Sequence, residues 1–288
     1  MSNLLSPLFS ISRNCRMLIT TIVLVCVGYL GLCAFMYLHQ RSMLYFPDAS
    51  ELSPLQAREL GLRHWPSSEQ FRGFVAEPDP QQDVRGTVIV FHGNGGAAFH
   101  RFFYAKALVR QHFRVLLAEY PGYGGRDGQP AETTLVQDGV TLLELAHEQF
   151  GPPLYLWGES LGCGVAAGVV RQTRVPVAGV VLFLPWDTLA NVAATHYPFI
   201  PVRWLLRDRY DSVANLRHFQ GPVAVLLAGE DEIIPTHHGR QLYEKLMTTK
   251  KLWVMLGAGH NSMPMAADQI WWQEVTDFLT TKTALLID

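Results

Sequence analysis

Residues 154–164 read Leu154-Tyr155-Leu156-Trp157-Gly158-Glu159-Ser160-Leu161-Gly162-Cys163-Gly164. Leu154–Trp157 is a short apolar run of strand type, and the stretch after Ser160 is rich in small residues that suit a closely packed helix. A serine between the two, with glycine two positions to either side, sits on a tight strand-to-helix turn. Glycines let the backbone of such a turn approach its neighbours. The helix N-terminus then favours any negative charge that develops beside the hydroxyl.

A serine hydroxyl becomes a useful nucleophile only when a base takes its proton, and a carboxylate commonly holds that base in place. Downstream, the apolar run Val223–Ala228 leads into Gly229-Glu230-Asp231-Glu232-Ile233-Ile234-Pro235. Leu252–Leu256 leads into Gly257-Ala258-Gly259-His260-Asn261. Both segments leave the C-terminal end of an expected strand, where open α/β sheets gather their ligands. The chain order serine, acid, histidine is one known solution on such sheets. Ser160, Asp231 and His260 are therefore the expected catalytic set, with Glu232 and Glu230 as competitors for the acid position. An oxyanion needs two donors: the backbone N–H of Leu161 is one, and the backbone of Asn94 in His92-Gly93-Asn94-Gly95-Gly96, after the run Thr87–Phe91, is the other. His92 is read as a residue that holds this loop.

Outward from these stretches, apolar runs at Thr87–Phe91, Val115–Ala118, Leu154–Trp157, Val177–Phe183, Val223–Ala228 and Leu252–Leu256 alternate with helix-like segments near 98–111, 132–148, 161–172, 237–247 and 265–280. Runs without polar alternation suit strands covered on both faces, and the alternation implies a mostly parallel sheet flanked by helices. Leu62–Trp65 and Phe71–Ala76 read as a hairpin ahead of it. Residues 187–221, between the runs Val177–Phe183 and Val223–Ala228, are too few for a large cap, so a fairly open site is expected. Tyr197-Pro198-Phe199-Ile200 and Trp204-Leu205-Leu206 within it are candidates for guiding an apolar substrate.

At the other end of the chain, Met17–Leu38 contains no charged residue in 22 positions. As a helix it would extend roughly 33 Å, enough to cross a bilayer core. It exceeds the apolar stretch of a signal peptide and ends in bulky residues, so an uncleaved single-pass anchor is expected. Arg13 and Arg16 precede it and Arg41 comes after it. This one-arginine margin places the N-terminal tail in the cytoplasm and the remainder on the extracytoplasmic side. The expected organisation is a tail at 1–16, the span at 17–38, a neck at 39–57 and one enzymatic domain at 58–288.

The 288 residues carry a formal net charge of −2 with 17% charged residues, and no basic face for a nucleic-acid partner is evident. Only Cys163 of the four cysteines lies beyond the apolar segment, which excludes an internal disulfide in the domain. No spacing suggests a metal site, His237 and His238 included, and no cofactor is called for. Cys163 and the aromatics Phe99, Phe102, Phe103 and Tyr104 read as packing residues. Arg203, Arg207 and Arg209 read as a solvated cluster with anionic lipid or substrate as the alternative.

Taken together, these motifs resemble the membrane-anchored, serine-aminopeptidase-like branch of the α/β-hydrolase fold. Met43-Leu44-Tyr45-Phe46-Pro47, His92-Gly93-Asn94-Gly95-Gly96, Tyr120-Pro121-Gly122-Tyr123-Gly124 and Asp208-Arg209-Tyr210-Asp211-Ser212 are similar to segments of that branch. Two features depart from it: Glu119 stands where an aspartate is usual, and the acid loop is one residue short. The resemblance implies a membrane-anchored serine hydrolase acting on a carboxylic ester or thioester, with a lipid-like acyl chain among the candidates. An aminopeptidase and a catalytically idle, membrane-tethered binding protein are the alternatives. Fold alone does not fix the substrate, which is set by the site.

Overall fold

The computed structural model describes residues 12–284; most of the expected N-terminal tail therefore lies outside the described residues. The chain begins with a long helix α1 (Arg13–Leu44), strand β1 (Phe46–Pro47), helix α2 (Pro54–Glu59), and strands β2 (Arg63–Trp65), β3 (Gly73–Ala76), β4 (Thr87–Phe91) and β5 (Gly95–Gly96). A 3-10 turn at Ala98–Arg101 leads into α3 (Phe102–Val109), then β6 (Arg114–Ala118), α4 (Glu132–Phe150), β7 (Leu154–Glu159), α5 (Leu161–Gln172) and β8 (Gly179–Phe183). Three short helices come next, α6 (Leu189–His196), α7 (Val202–Leu205) and α8 (Ser212–Leu216). The fold closes with β9 (Val223–Ala228), α9 (Thr236–Lys245), β10 (Lys250–Met255) and α10 (Ile270–Ala284).

Eight strands form one sheet in the order β10-β9-β8-β7-β4-β6-β3-β2. β2 and β3 form the expected antiparallel hairpin, β3 joins β6 antiparallel, and every pairing from β6 to β10 is parallel. Successive side chains of a strand point to opposite faces. Val88 and Val90 of β4 accordingly pack into a core with α3 and α10, while Ile89 and Phe91 join α4 and α5. β9 repeats the division: Ala224 and Leu226 face α10, and Val223, Val225 and Leu227 face α5, α8 and α9. This two-sided burial is why the strands carry no polar alternation.

Helix α1 exceeds the expected span at both ends. Its 32 residues extend roughly 48 Å, it is long and apolar enough to cross a membrane, and little of its apolar window is buried by protein. Its last turn and the residue after it pack against the 208–210 stretch. Tyr45 is buried, and its hydroxyl lies 2.9 Å from that of Tyr210 and donates to Asp208 at 3.2 Å. Asp208 also accepts two hydrogen bonds from Arg41 and one from the Glu132 backbone N–H. Glu132 in turn accepts from the backbone of Arg209 and Tyr210. The Asp208–Ser212 stretch is thus the socket of α1, and Tyr45 is packed within it.

Two further elements fall within or at the end of the expected 39–57 neck. α2 is started by local chemistry: Ser53 caps the Gln56 N–H, Gln56 returns the bond, and Pro54 occupies the first turn. β1 pairs in parallel with β5, Phe46 opposite Gly95.

Candidate active site

Ser160 stands between β7 and α5 with φ 52° and ψ −113°. A non-glycine residue at positive φ is strained, and such strain persists only where its surroundings enforce it. Here the enforcement is contact: a Cβ at Gly162 would lie 1.9 Å from the Phe91 carbonyl oxygen, and one at Gly158 would lie 2.5 Å from the Cys163 Cα. Gly162 lets the turn nest against the end of β4, and Gly158 lets the first turn of α5 lie close over β7. The Ser160 N–H donates to Phe183 at 2.8 Å, which fixes the turn to β8. Ser160 is 8% exposed.

His260, on the loop after β10, places Nε2 3.1 Å from Ser160 Oγ. Its Nδ1 lies 2.8 Å and 3.0 Å from the two carboxylate oxygens of Asp231. A carboxylate only accepts, so Nδ1 carries the proton and Nε2 is left to receive the serine's. Asp231 is itself held by the backbone N–H groups of Ile233 and Ile234. The competing carboxylates go elsewhere: Glu232 accepts from the His260 backbone N–H at 3.1 Å, and Glu230 is exposed.

The loop after β4 lies against the serine. A Cβ at Gly93 would meet Ser160 Cβ at 3.7 Å. The Asn94 carbonyl accepts from Phe46 N–H and Tyr123 O–H, and its side-chain amide nitrogen donates to the Leu44 carbonyl at 3.0 Å. The N–H groups of Asn94 and Leu161 have no acceptor among the described residues, and both residues line the same cavity as Ser160. His92 is buried, bonds the Gly93 carbonyl through Nδ1 and sits 3.3 Å from Glu119. Glu119 also accepts from the Ala98 N–H. The glutamate that departs from the family pattern thus ties the Gly93–Gly96 loop to the turn beyond it.

The cavity measures about 990 Å³, at the upper end of the ~300–1,000 Å³ usual for small-molecule sites. Its walls are mainly apolar: Phe103, Leu184, Val192, Ile200, Leu205 and Met263 among others. It is more enclosed than the short 187–221 insertion implies, because α1 contributes Met36, Tyr37, Gln40, Met43 and Leu44. His196 at the end of α6 lines it and donates to the Ile233 carbonyl at 2.8 Å, joining this cover to the acid loop. Arg101 and Glu159 form a partly buried, two-point ion pair at its edge. Burial opposes the Arg101 charge, but Glu159 outweighs it and raises the guanidinium pKa. The role of Phe103 as a wall, and that of Arg101, carried no pattern in the sequence.

Away from the site, Cys163 is buried and its thiol donates to the Gly158 carbonyl; burial pushes its pKa up. Arg203, Arg207 and Arg209 are exposed and make no ion pair among the described residues. Among those residues, no cluster of three or more His, Cys, Asp or Glu side chains has metal-holding geometry.

The strand order and the serine-bearing turn after β7 define an α/β-hydrolase fold. A family model described as serine aminopeptidase, S33, matches residues 82–207. An uncharacterized protein of Mycobacterium tuberculosis is 32% identical over 281 residues, covering 95% of this chain and 98% of the relative. The lysophosphatidylserine lipase ABHD12 of Danio rerio is 30% identical over 190 residues, covering 59% of this chain and 50% of the lipase. In structure, the Pyrococcus furiosus esterase Pf2001 superimposes with a TM-score of 0.60 at 13% identity, over 83% of this chain and 98% of the esterase. The Paleococcus ferrophilus monoacylglycerol lipase gives 0.52 at 18% identity, over 74% and 100%. The chain belongs to the α/β-hydrolase-fold serine hydrolases.

Proposed function

We propose that this protein is a membrane-anchored hydrolase that cleaves a carboxylic ester or thioester of lipid-like character through an acyl-enzyme. The observation that carries the proposal is the continuous hydrogen-bond chain from Asp231 through His260 to Ser160. In this reading Ser160 Oγ attacks the carbonyl carbon while His260 Nε2 takes its proton. Asp231 holds the imidazole and stabilises its protonated form. The N–H groups of Leu161 and Asn94 receive the oxyanion. His260 then protonates the leaving alcohol or thiol, and water activated by the same imidazole releases the acid.

The apolar cavity suits an acyl chain, and the relatives named as a lysophosphatidylserine lipase favour an ester of that general kind. For the anchor, residues 17–38 are proposed as the span, 39–57 as the neck and 58–288 as the hydrolase domain, with the tail at 1–16 cytoplasmic and the domain outside. The aminopeptidase alternative needs a free carboxylate for the substrate's amine. Glu159 is engaged by Arg101, and Glu230 is not part of the cavity wall, so the ester reading is preferred.

Fluorophosphonate treatment of the purified full chain and of Ser160→Ala, with the modified site mapped by mass spectrometry, tests this. Labelling at Ser160 that disappears in the variant is expected, with ester turnover lowered by about 10⁴-fold or more. A folded wild type that takes up no label, or a variant with near-normal turnover, overturns it.

A further inference from the structure

The cavity beside Ser160 is built partly from the anchor. Met36 and Tyr37 line it, and both fall inside the apolar stretch that ends at Leu38. Residues of a membrane span would not border the site if the domain merely hung from a tether. The segment carrying α6 and α7 runs along the same helix. Gln40 clamps its upper part, donating to the Leu205 carbonyl and accepting from the Arg207 N–H. The Tyr29 hydroxyl donates to the Phe199 carbonyl at 2.8 Å. Tyr29 lies nine residues before Leu38, a rise of roughly 14 Å into the span. The cover of the site therefore descends beside α1 to the level of the hydrocarbon.

The side chains on that descending segment fit this depth. Phe199 and Trp204 are 86% and 87% exposed, and Tyr197 is 42% exposed. Single exposed apolar residues are ordinary, but these three are gathered on the segment that flanks an apolar span. Tryptophan and tyrosine favour the membrane–water boundary, and phenylalanine tolerates the layer beneath. The same cavity is lined by Ser160, Asn94 and His260.

We infer that the site is reached from within the bilayer, through the seam between α1 and the α6–α7 segment, and that its substrate is an amphiphile whose acyl chain meets Ser160 without crossing water. The inference rests on the membrane-anchored ester hydrolase proposed above. The apolar chain slides past Met36 on one side and Ala193 of α6 on the other, both of which border the cavity. The ester carbonyl stops where the serine and the two free N–H groups converge.

The test uses the full chain in phosphatidylcholine vesicles and two fluorophosphonates, one with a long alkyl chain that partitions into the bilayer and one short and water-soluble. Met36→Trp and Ala193→Trp narrow the seam from opposite walls, so that one variant still reports if the other fails to insert. The quantity read is the ratio of Ser160 labelling rates, long probe over short, and it is expected to fall by about tenfold or more in each variant that folds. A ratio that stays within about threefold of wild type overturns the bilayer route, whether both rates hold or both fall together. Failure of the short probe to label wild type overturns the hydrolase reading itself, and is distinct from loss of the ratio.

Discussion

The side-chain amide of Asn94 donates to the main-chain carbonyl of Leu44, the last residue of α1, at 3.0 Å. β1 and β5 pair immediately beside this bond. The loop facing Ser160 and the end of α1 are consequently one hydrogen-bonded unit. Asn94→Ala keeps the backbone N–H proposed for the oxyanion but cuts the tie. Steady-state kinetics on a short soluble ester should show kcat lowered about 10–100-fold, the scale on which small misplacements act. An unchanged kcat would mean that the tie does not hold the loop.

The two acidic neighbours have separable duties. Asp231 bonds the His260 ring, whereas Glu232 bonds its backbone. Asp231→Asn should lower kcat by roughly 10³–10⁴-fold through loss of the correct tautomer. Glu232→Gln, which can still accept from the N–H at an exposed position, should cost less than about tenfold. Reversed magnitudes would reassign the acid.

Close packing at the serine turn can be probed without touching polar groups. Gly162→Ala places a methyl 1.9 Å from the Phe91 carbonyl oxygen, and neither partner is a flexible side chain. The expected cost is about 3 kcal/mol or more, a fall in melting midpoint of roughly 6–12 °C for a domain of this size. Differential scanning fluorimetry of the full chain in detergent measures it, and a shift of a degree or less would contradict the packing described.

His238 gives the fold an acid-sensitive point. Its ring is buried, with Nδ1 3.1 Å from Asp187 and Nε2 3.1 Å from Thr195. The His237 ring lies tilted against it, with centroids 4.1 Å apart. Burial pushes its pKa below the ordinary 6.5, against the pull of Asp187, with the neighbouring charges of His237 and His196 acting in the same direction as burial. The folded state therefore binds this proton less readily than the unfolded chain. Its contribution to stability is complete above about pH 6.5 and declines as pH falls below that value. Between about pH 7.5 and 5.5, the melting midpoint of wild type should fall further than that of His238→Gln. Parallel profiles would remove His238 as the cause.

Much of the sheet was readable because buried strands announce themselves: Thr87–Phe91 and Val223–Ala228 are apolar at every position or nearly so, a pattern that few other environments require. The polar meeting point was readable for a related reason. Gly-rich segments at strand ends leave few places for Ser160, Asp231 and His260 to go except toward one another. α2 was readable in principle, since Ser53, Pro54 and Gln56 spell its start, but a single six-residue helix leaves no periodicity to notice. The last helix starts at Ile270, not near 265. Met265, Ala266 and Ala267 have helical propensity, yet the indole N–H groups of Trp271 and Trp272 take the carbonyls of Pro264 and Ala266. The part played by α1 in the cavity was not readable at all. A helix apolar all round carries no mark of which side meets protein, and pairing Phe46 with Gly95 is a contact between segments far apart in the chain.

Helix α1 continues to Leu44 and Tyr45 is buried directly after it, so the end of the helix is packed on the core. Held in a bilayer, Ser160 has a fixed height and heading relative to the lipid surface, unlike an enzyme on a flexible leash. Its working concentration scale is then two-dimensional. Turnover would track the mole fraction of substrate in the surrounding leaflet, and diluting that leaflet with inert lipid would slow the enzyme even when the amount of substrate per millilitre is unchanged.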